Sequence, residues 1–159
     1  MVKARIPRDE NEVFPDDFHV RERPGIQVIQ KKIRVLMVGG APSREFQFLR
    51  TFLNREVAEN RASLTVLVQN EAGMAGELTP NPTEQVIRRW PTKLDLTVRP
   101  VDPKDIDPKE RQYNLNEYDV IIGFDPDWTE ISPQQADDLK LWVERQGGGF
   151  ILVADRINT

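Results

Sequence analysis

The stretch IRVLMVGGAPSREFQFLRTFL, residues 33 to 53, reads as a buried strand, a tight loop and an amphipathic helix in immediate succession. IRVLMV carries one charge near its start and is otherwise an unbroken apolar run, the pattern of a strand covered on both faces of a parallel sheet. GGAPS (39 to 43) ends it. In the segment that follows, REFQFLRTFLNREV, Phe46, Leu49, Leu53 and Val57 share one helical face, and Phe48 and Phe52 widen it. With Ser43 as N-cap, a helix of about four turns is expected. A strand that hands the chain directly to a helix implies a crossover to a parallel neighbour, and the same unit recurs downstream.

SLTVLVQ (63 to 69) is a second strand, followed by NEAGMAGELTPNPT, which has loop composition, and by TEQVIRRW (83 to 90), which offers a short helical pattern. From Pro91 to Asn116 proline and charge dominate, predicting a long surface loop with a minor strand at LDLTV. YDVIIGF (118 to 124) is a third buried strand and DPDWTEI a turn. SPQQADDLKLWVERQ is then a helix, with Ser132 at the N-cap, Pro133 at the first position and Gln135 completing a capping box; capping also accounts for Gln134. Its expected buried face is Ala136, Leu139, Trp142 and Val143. GGG (147 to 149) stops it, and FILVA (150 to 154) is the fourth strand. Right-handed crossovers between these strands give an α/β fold of three layers, α/β/α, around a mostly parallel sheet.

The pattern begins near residue 31. Residues 1 to 30 hold Pro7, Pro15, Pro24 and Gly25 among many charges, and only FHVRER and IQVIQ alternate as half-exposed strands do. They read as an extended arm or the end of a preceding domain that frays or pairs with something outside the chain, and 31 to 159 as the α/β domain. A formal charge of -4, with no Lys/Arg cluster interleaved with aromatics, disfavours nucleic acid as a partner. No run approaches the roughly 20 apolar residues of a membrane span, so a soluble segment with no direct membrane insertion is expected. The chain has no cysteine, which removes disulfides, thiolate metal sites and thiol catalysis together.

The same residues carry a resemblance. IRVLMVGGAPSREFQFLRTFL, YDVIIGFDPDW and a capped helix running into GGGFILVA resemble the class I glutamine amidotransferase-like domain, of flavodoxin-like architecture, in large bacterial proteins that also carry von Willebrand A-type domains and membrane helices. The similarity covers about residues 26 to 159. It implies a flavodoxin-like domain that continues beyond residue 159, within a membrane-anchored bacterial parent whose other domains, or protein partners, are what it contacts. Enzymes of this family place a nucleophilic cysteine in Gly-x-Cys-x-Gly after the corresponding strand; here LVADRIN puts Asp155 at that register. An aspartate cannot form a thioester with glutamine, and the only histidine, His19, lies in the arm. Glutaminase activity is therefore not expected. The resemblance then implies a non-catalytic domain serving as a structural or protein-interaction module.

Ligands of open α/β sheets bind at the carboxyl ends of the strands, which selects Gly39, Gly40 and Ser43 after the first strand, Asp125 and Asp127 after the third, and Asp155 after the fourth. The glycine loop either cradles an anion at a helix N-terminus or is simply a tight turn; it lacks the Walker lysine and the G-x-G-x-x-G spacing. The three aspartates either coordinate Mg²⁺ in a carboxylate-based hydrolase or are ordinary turn residues. A small-molecule or sugar-binding domain, as in ThuA-like relatives of the fold, is the remaining alternative. No cofactor is expected outside the Mg²⁺ reading. Trp128 is placed over the sheet edge, and Trp90 and Trp142 in or beside the core. PVDPKDIDPKERQ is a solvated loop or a partner-docking one.

Overall fold

The computed structural model describes residues 2–5, 18–21, 31–41, 43–69, 81–95 and 108–158. IQVIQ, the expected loop over 70–80, most of LDLTV and the acidic stretch before residue 108 lie outside the described residues. Two compact units divide the chain, 1–30 and 31–159. In the first, β1 (Val2–Arg5) pairs antiparallel with β2 (Phe18–Arg21), Val2 opposite Arg21. FHVR thus finds its strand partner inside the arm, not outside the chain.

The second unit is built on five parallel strands: β3 (Ile33–Gly39), β4 (Ala62–Val68), β5 (Gln85–Ile87), β6 (Val120–Phe124) and β7 (Gly149–Val153). Their order in the sheet is β5-β4-β3-β6-β7. Without β5, the four strands legible in the sequence stand as 2-1-3-4, the flavodoxin-like beginning. Side-chain alternation sorts the core into two faces. Val35, Met37, Leu64, Val66, Ile122 and Phe124 meet Phe46 and Leu53 of α1 (Arg44–Ala58), with the Phe46 and Phe124 rings edge-to-face at 5.6 Å. On the other face, beneath α3 (Pro133–Gln146), Leu36, Val38, Leu67 and Ile121 share a cluster with Trp142, Trp90, Leu115 and Tyr118. A helix on each face of one sheet makes the three-layer α/β/α architecture.

The helix signals are local, and they hold. Ser43 Oγ accepts the Phe46 amide at 3.1 Å. Ser132 and Gln135 form the reciprocal capping box, while Gln134 instead donates to Asp138 at 2.9 Å. Gly147 closes α3 in the left-handed conformation (φ 71°), and Gly148 lies so close to Trp142 that a Cβ there would sit 2.2 Å from the indole.

Tertiary structure overrides the pattern in four places. Phe48 and Phe52 do not widen the buried face of α1: they are 77% and 48% exposed, because Phe48 lies about half a turn around the helix from Phe46, and Phe52 over a quarter of a turn from Leu53, away from the sheet. On α3, Leu139 and Trp142 turn inward while Ala136 and Val143 are exposed, a narrower stripe than expected. TEQVIRRW is not helical. Glu84 is drawn beneath α1 by Arg50 (2.9 Å) and by the Asn54 side-chain amide (2.6 Å), and residues 85 to 87 then pair with β4 as a strand, burying Ile87. Nor is the described part of 91 to 116 a plain surface loop. The Tyr113 carbonyl accepts the amides of Thr92 and Lys93 (2.9 and 3.1 Å), and the segment carries α2 (Pro108–Arg111) and a 3₁₀ turn at Leu115–Glu117. Leu115 and Tyr118 are buried there. Burial pushes the Tyr118 hydroxyl up to about 12, and that hydroxyl donates to the Gln112 carbonyl at 2.7 Å.

Candidate functional site

After β3 the chain departs to β4 on one side, and it later returns to β6 on the other, so the strand order reverses between β3 and β6. The carboxyl ends of that pair form the crevice where open α/β sheets place ligands. The Gly40 amide donates to the Phe124 carbonyl at 3.0 Å, prolonging the ladder by one bond. Beyond it the two loops touch main chain to main chain. A Cβ on Gly40 would lie 2.1 Å from the Asp125 carbonyl oxygen and 2.9 Å from the Asp127 nitrogen, so only glycine fits.

Asp125 follows β6 directly at φ 44°, a left-handed conformation that aspartate tolerates better than most residues. Its side chain turns into the protein rather than toward solvent. The carboxylate accepts the amides of Ile157 (3.2 Å) and Asn158 (3.1 Å), and Asn158 Nδ2 returns a bond to the Asp125 carbonyl at 2.8 Å. The turn after β7 is thereby tied to the end of β6.

Asp127 stands at the mouth. Its Oδ1 accepts the Thr129 hydroxyl (2.6 Å) and amide (2.9 Å), and these bonds hold the carboxyl below its ordinary range while capping the 3₁₀ turn Trp128–Glu130. Its backbone is held by Gln69, whose side-chain amide donates to the Asp127 carbonyl and accepts the Asp127 N–H, both at 2.8 Å. Asp155, exposed at the end of β7, accepts the Arg156 amide at 2.8 Å.

These loops enclose a crevice of about 220 Å³ lined by Gly40, Ala41, Gln69, Asp127, Glu130, Ile157 and Asn158. That is below the roughly 300 Å³ at which small-molecule pockets begin. Of the residues selected from the sequence, Gly40 and Asp127 line it. Gly39 is the last residue of β3, Ser43 is occupied as the α1 cap, Asp125 braces the wall from behind, and Asp155 lies on the neighbouring turn. Among the described residues no three His, Cys, Asp or Glu side chains are grouped to hold a metal ion.

Gln69, Glu130 and Asn158 are the polar lining residues that sequence reasoning missed, alongside the apolar Ala41 and Ile157. Gln69 did carry a signal, being the first polar side chain after the apolar run of β4 and therefore at a strand end. Trp128 packs against Phe150 of β7 with ring centroids 6.3 Å apart, closing the flank of the edge. Among the described residues no helix is long and apolar enough to cross a membrane. Compared with known proteins, the chain matches no family model, no curated protein and no solved structure.

Proposed function

We propose that residues 31–159 form a non-catalytic, amidotransferase-like α/β domain that serves as a structural or protein-interaction module of a larger bacterial protein. The observation that carries this reading is the use made of the strand-end carboxylates. Asp125, Asp127 and Asp155 each accept a backbone N–H close by, and Asp125 is buried with its oxygens turned toward the 156–158 turn. A carboxylate serving as nucleophile, general base or metal ligand must aim a lone pair at the reacting group. Here the carboxylates hold loops. An interaction module also needs apolar surface in solvent, and Phe48 and Phe52 supply it on the outer side of α1.

A second reading keeps one specific observation. The crevice beside Gly40 has Asp127 and Glu130 on its rim, room enough for a small polar ligand or a hydrated cation. Mg²⁺ titration of the chain separates the two, followed by melting temperature and by the amide resonances of residues 125–130 and 155–158. The module reading expects no saturable change up to about 10 mM, above the weakest range of protein sites for hard divalent cations. A saturable shift confined to those residues would replace it with the metal-dependent reading.

A further inference from the structure

We infer that the outer face of α1 is a self-association surface that takes a second copy of this chain, the two α1 helices antiparallel with Phe48 of one copy against Phe52 of the other. This names the partner for the interaction-module reading and rests on that reading. Glu45, Phe48, Phe52 and Arg55 follow one another at spacings of three, four and three residues, so they form a single stripe. All four are exposed, and the stripe lies opposite the Phe46 and Leu53 side that packs on the sheet. Between the two rings runs a groove of about 330 Å³ lined by Gln47, Phe48, Thr51, Phe52 and Arg55. It is open enough to receive a ring from outside.

The occupant follows from the order of charges along the stripe. A two-fold axis through the point midway between Phe48 and Phe52 places each of these rings against the other on the second copy, and the same axis sets Glu45 against Arg55 at both ends. The parallel arrangement would set Glu45 against Glu45 and Arg55 against Arg55, so like charges disfavour it. Neither the Glu45 carboxylate nor the Arg55 guanidinium makes a hydrogen bond or ion pair within its own copy among the described residues, so both are available to pair across the axis. An unrelated partner needs no such internal symmetry.

Four aromatic rings, each offering at most about 150–250 Å² and already partly covered, make a contact in the small, transient class. A dissociation constant on the order of 10–100 µM is expected.

Sedimentation equilibrium of the full chain from about 5 µM to about 1 mM spans that range. The chain should pass from monomer to dimer, and Phe48→Ser combined with Phe52→Ser should keep it monomeric; both positions lie in solvent, so circular dichroism should be unchanged. Arg55→Glu sets glutamate against Glu45 twice per dimer and should weaken association about tenfold. Adding Glu45→Arg to it swaps the charges and should restore association to within about threefold. A chain monomeric at the highest concentration, a dimer indifferent to the serine pair, or a swap that restores nothing would each overturn the proposal. The parent reading fails separately, by a saturable Mg²⁺ shift at residues 125–130 and 155–158, an outcome that the oligomeric state of the chain does not decide.

Discussion

The Gln69 side chain and the Asp127 backbone exchange two hydrogen bonds of 2.8 Å, so a side chain at the end of β4 does for the β6 loop what a neighbouring strand does inside the sheet. The two residues are 58 apart in sequence, and their pairing sets where the loop lies. Gln69→Ala leaves one donor and one acceptor of Asp127 without partners in a half-buried place. A loss of about 1–2 kcal/mol is expected. Gln69→Glu keeps the acceptor but faces the Asp127 carbonyl with an anion, and it should fall between wild type and alanine. Urea denaturation of the three proteins gives the order.

At Asp125 the left-handed backbone and the buried carboxylate act together. Asp125→Asn tolerates the backbone and keeps one acceptor, so it should cost about 1 kcal/mol; Asp125→Ala loses both advantages and should cost about 2–3 kcal/mol. Hydrogen exchange should report the difference at the amides of Ile157 and Asn158. Unchanged protection there in the alanine variant would count against the brace.

Arg50 and Glu84 form a nearly dry ion pair at 2.9 Å, their side chains 8% and 1% exposed, with Asn54 on the same carboxylate. Glu84→Ala takes from Arg50 and Asn54 the carboxylate they share and should cost about 3 kcal/mol. Replacing both, as Arg50→Met with Glu84→Leu, should cost clearly less than the single change, because the buried cation leaves together with its anion. A double-mutant cycle by thermal unfolding measures the coupling, and additive costs would show that the pair does not hold β5.

Acid sensitivity should concentrate at Asp119. Burial works against its ionisation, but hydrogen bonds from the Arg34 side chain and backbone and from Lys31 outweigh it and hold the carboxyl well below the usual carboxylate range. A depressed folded value means that the contribution is fully present above the unfolded value near 4 and is lost as pH falls through the folded one. The melting temperature should therefore drop as pH falls below about 4, and Asp119→Asn should flatten that drop while lowering the plateau at neutral pH. A parallel pair of melting curves would remove the assignment.

Much of this was legible because its causes are local. The runs at β3, β4, β6 and β7 are dense in Val, Ile, Leu and Met, and Ser43, Ser132, Gln135 and Gly147 punctuate the helices by bonds to residues at most a few positions away. The rule of strand ends also found Gly40 and Asp127. What escaped depends on distance. β5 has only three residues and is drawn in by an arginine 34 positions earlier; Leu115 is buried by a fold-back onto Lys93; Gln69 acquires its meaning from a loop on another strand. The turn of Asp125 away from solvent is equally invisible, since an aspartate after a strand reads the same whether it faces a ligand or a backbone.

The contact of Gly40 with the Asp125 carbonyl sets a limit on what the crevice can become. Where the two central loops meet, peptide lies against peptide, and no side-chain substitution can draw it apart. Gln69, Glu130 and Asn158 form the other walls, which substitution can recolour or trim. A guest that needs more room between the loops themselves would demand a different backbone path. The fold thus leaves the rim of this edge free to drift while its seam stays shut.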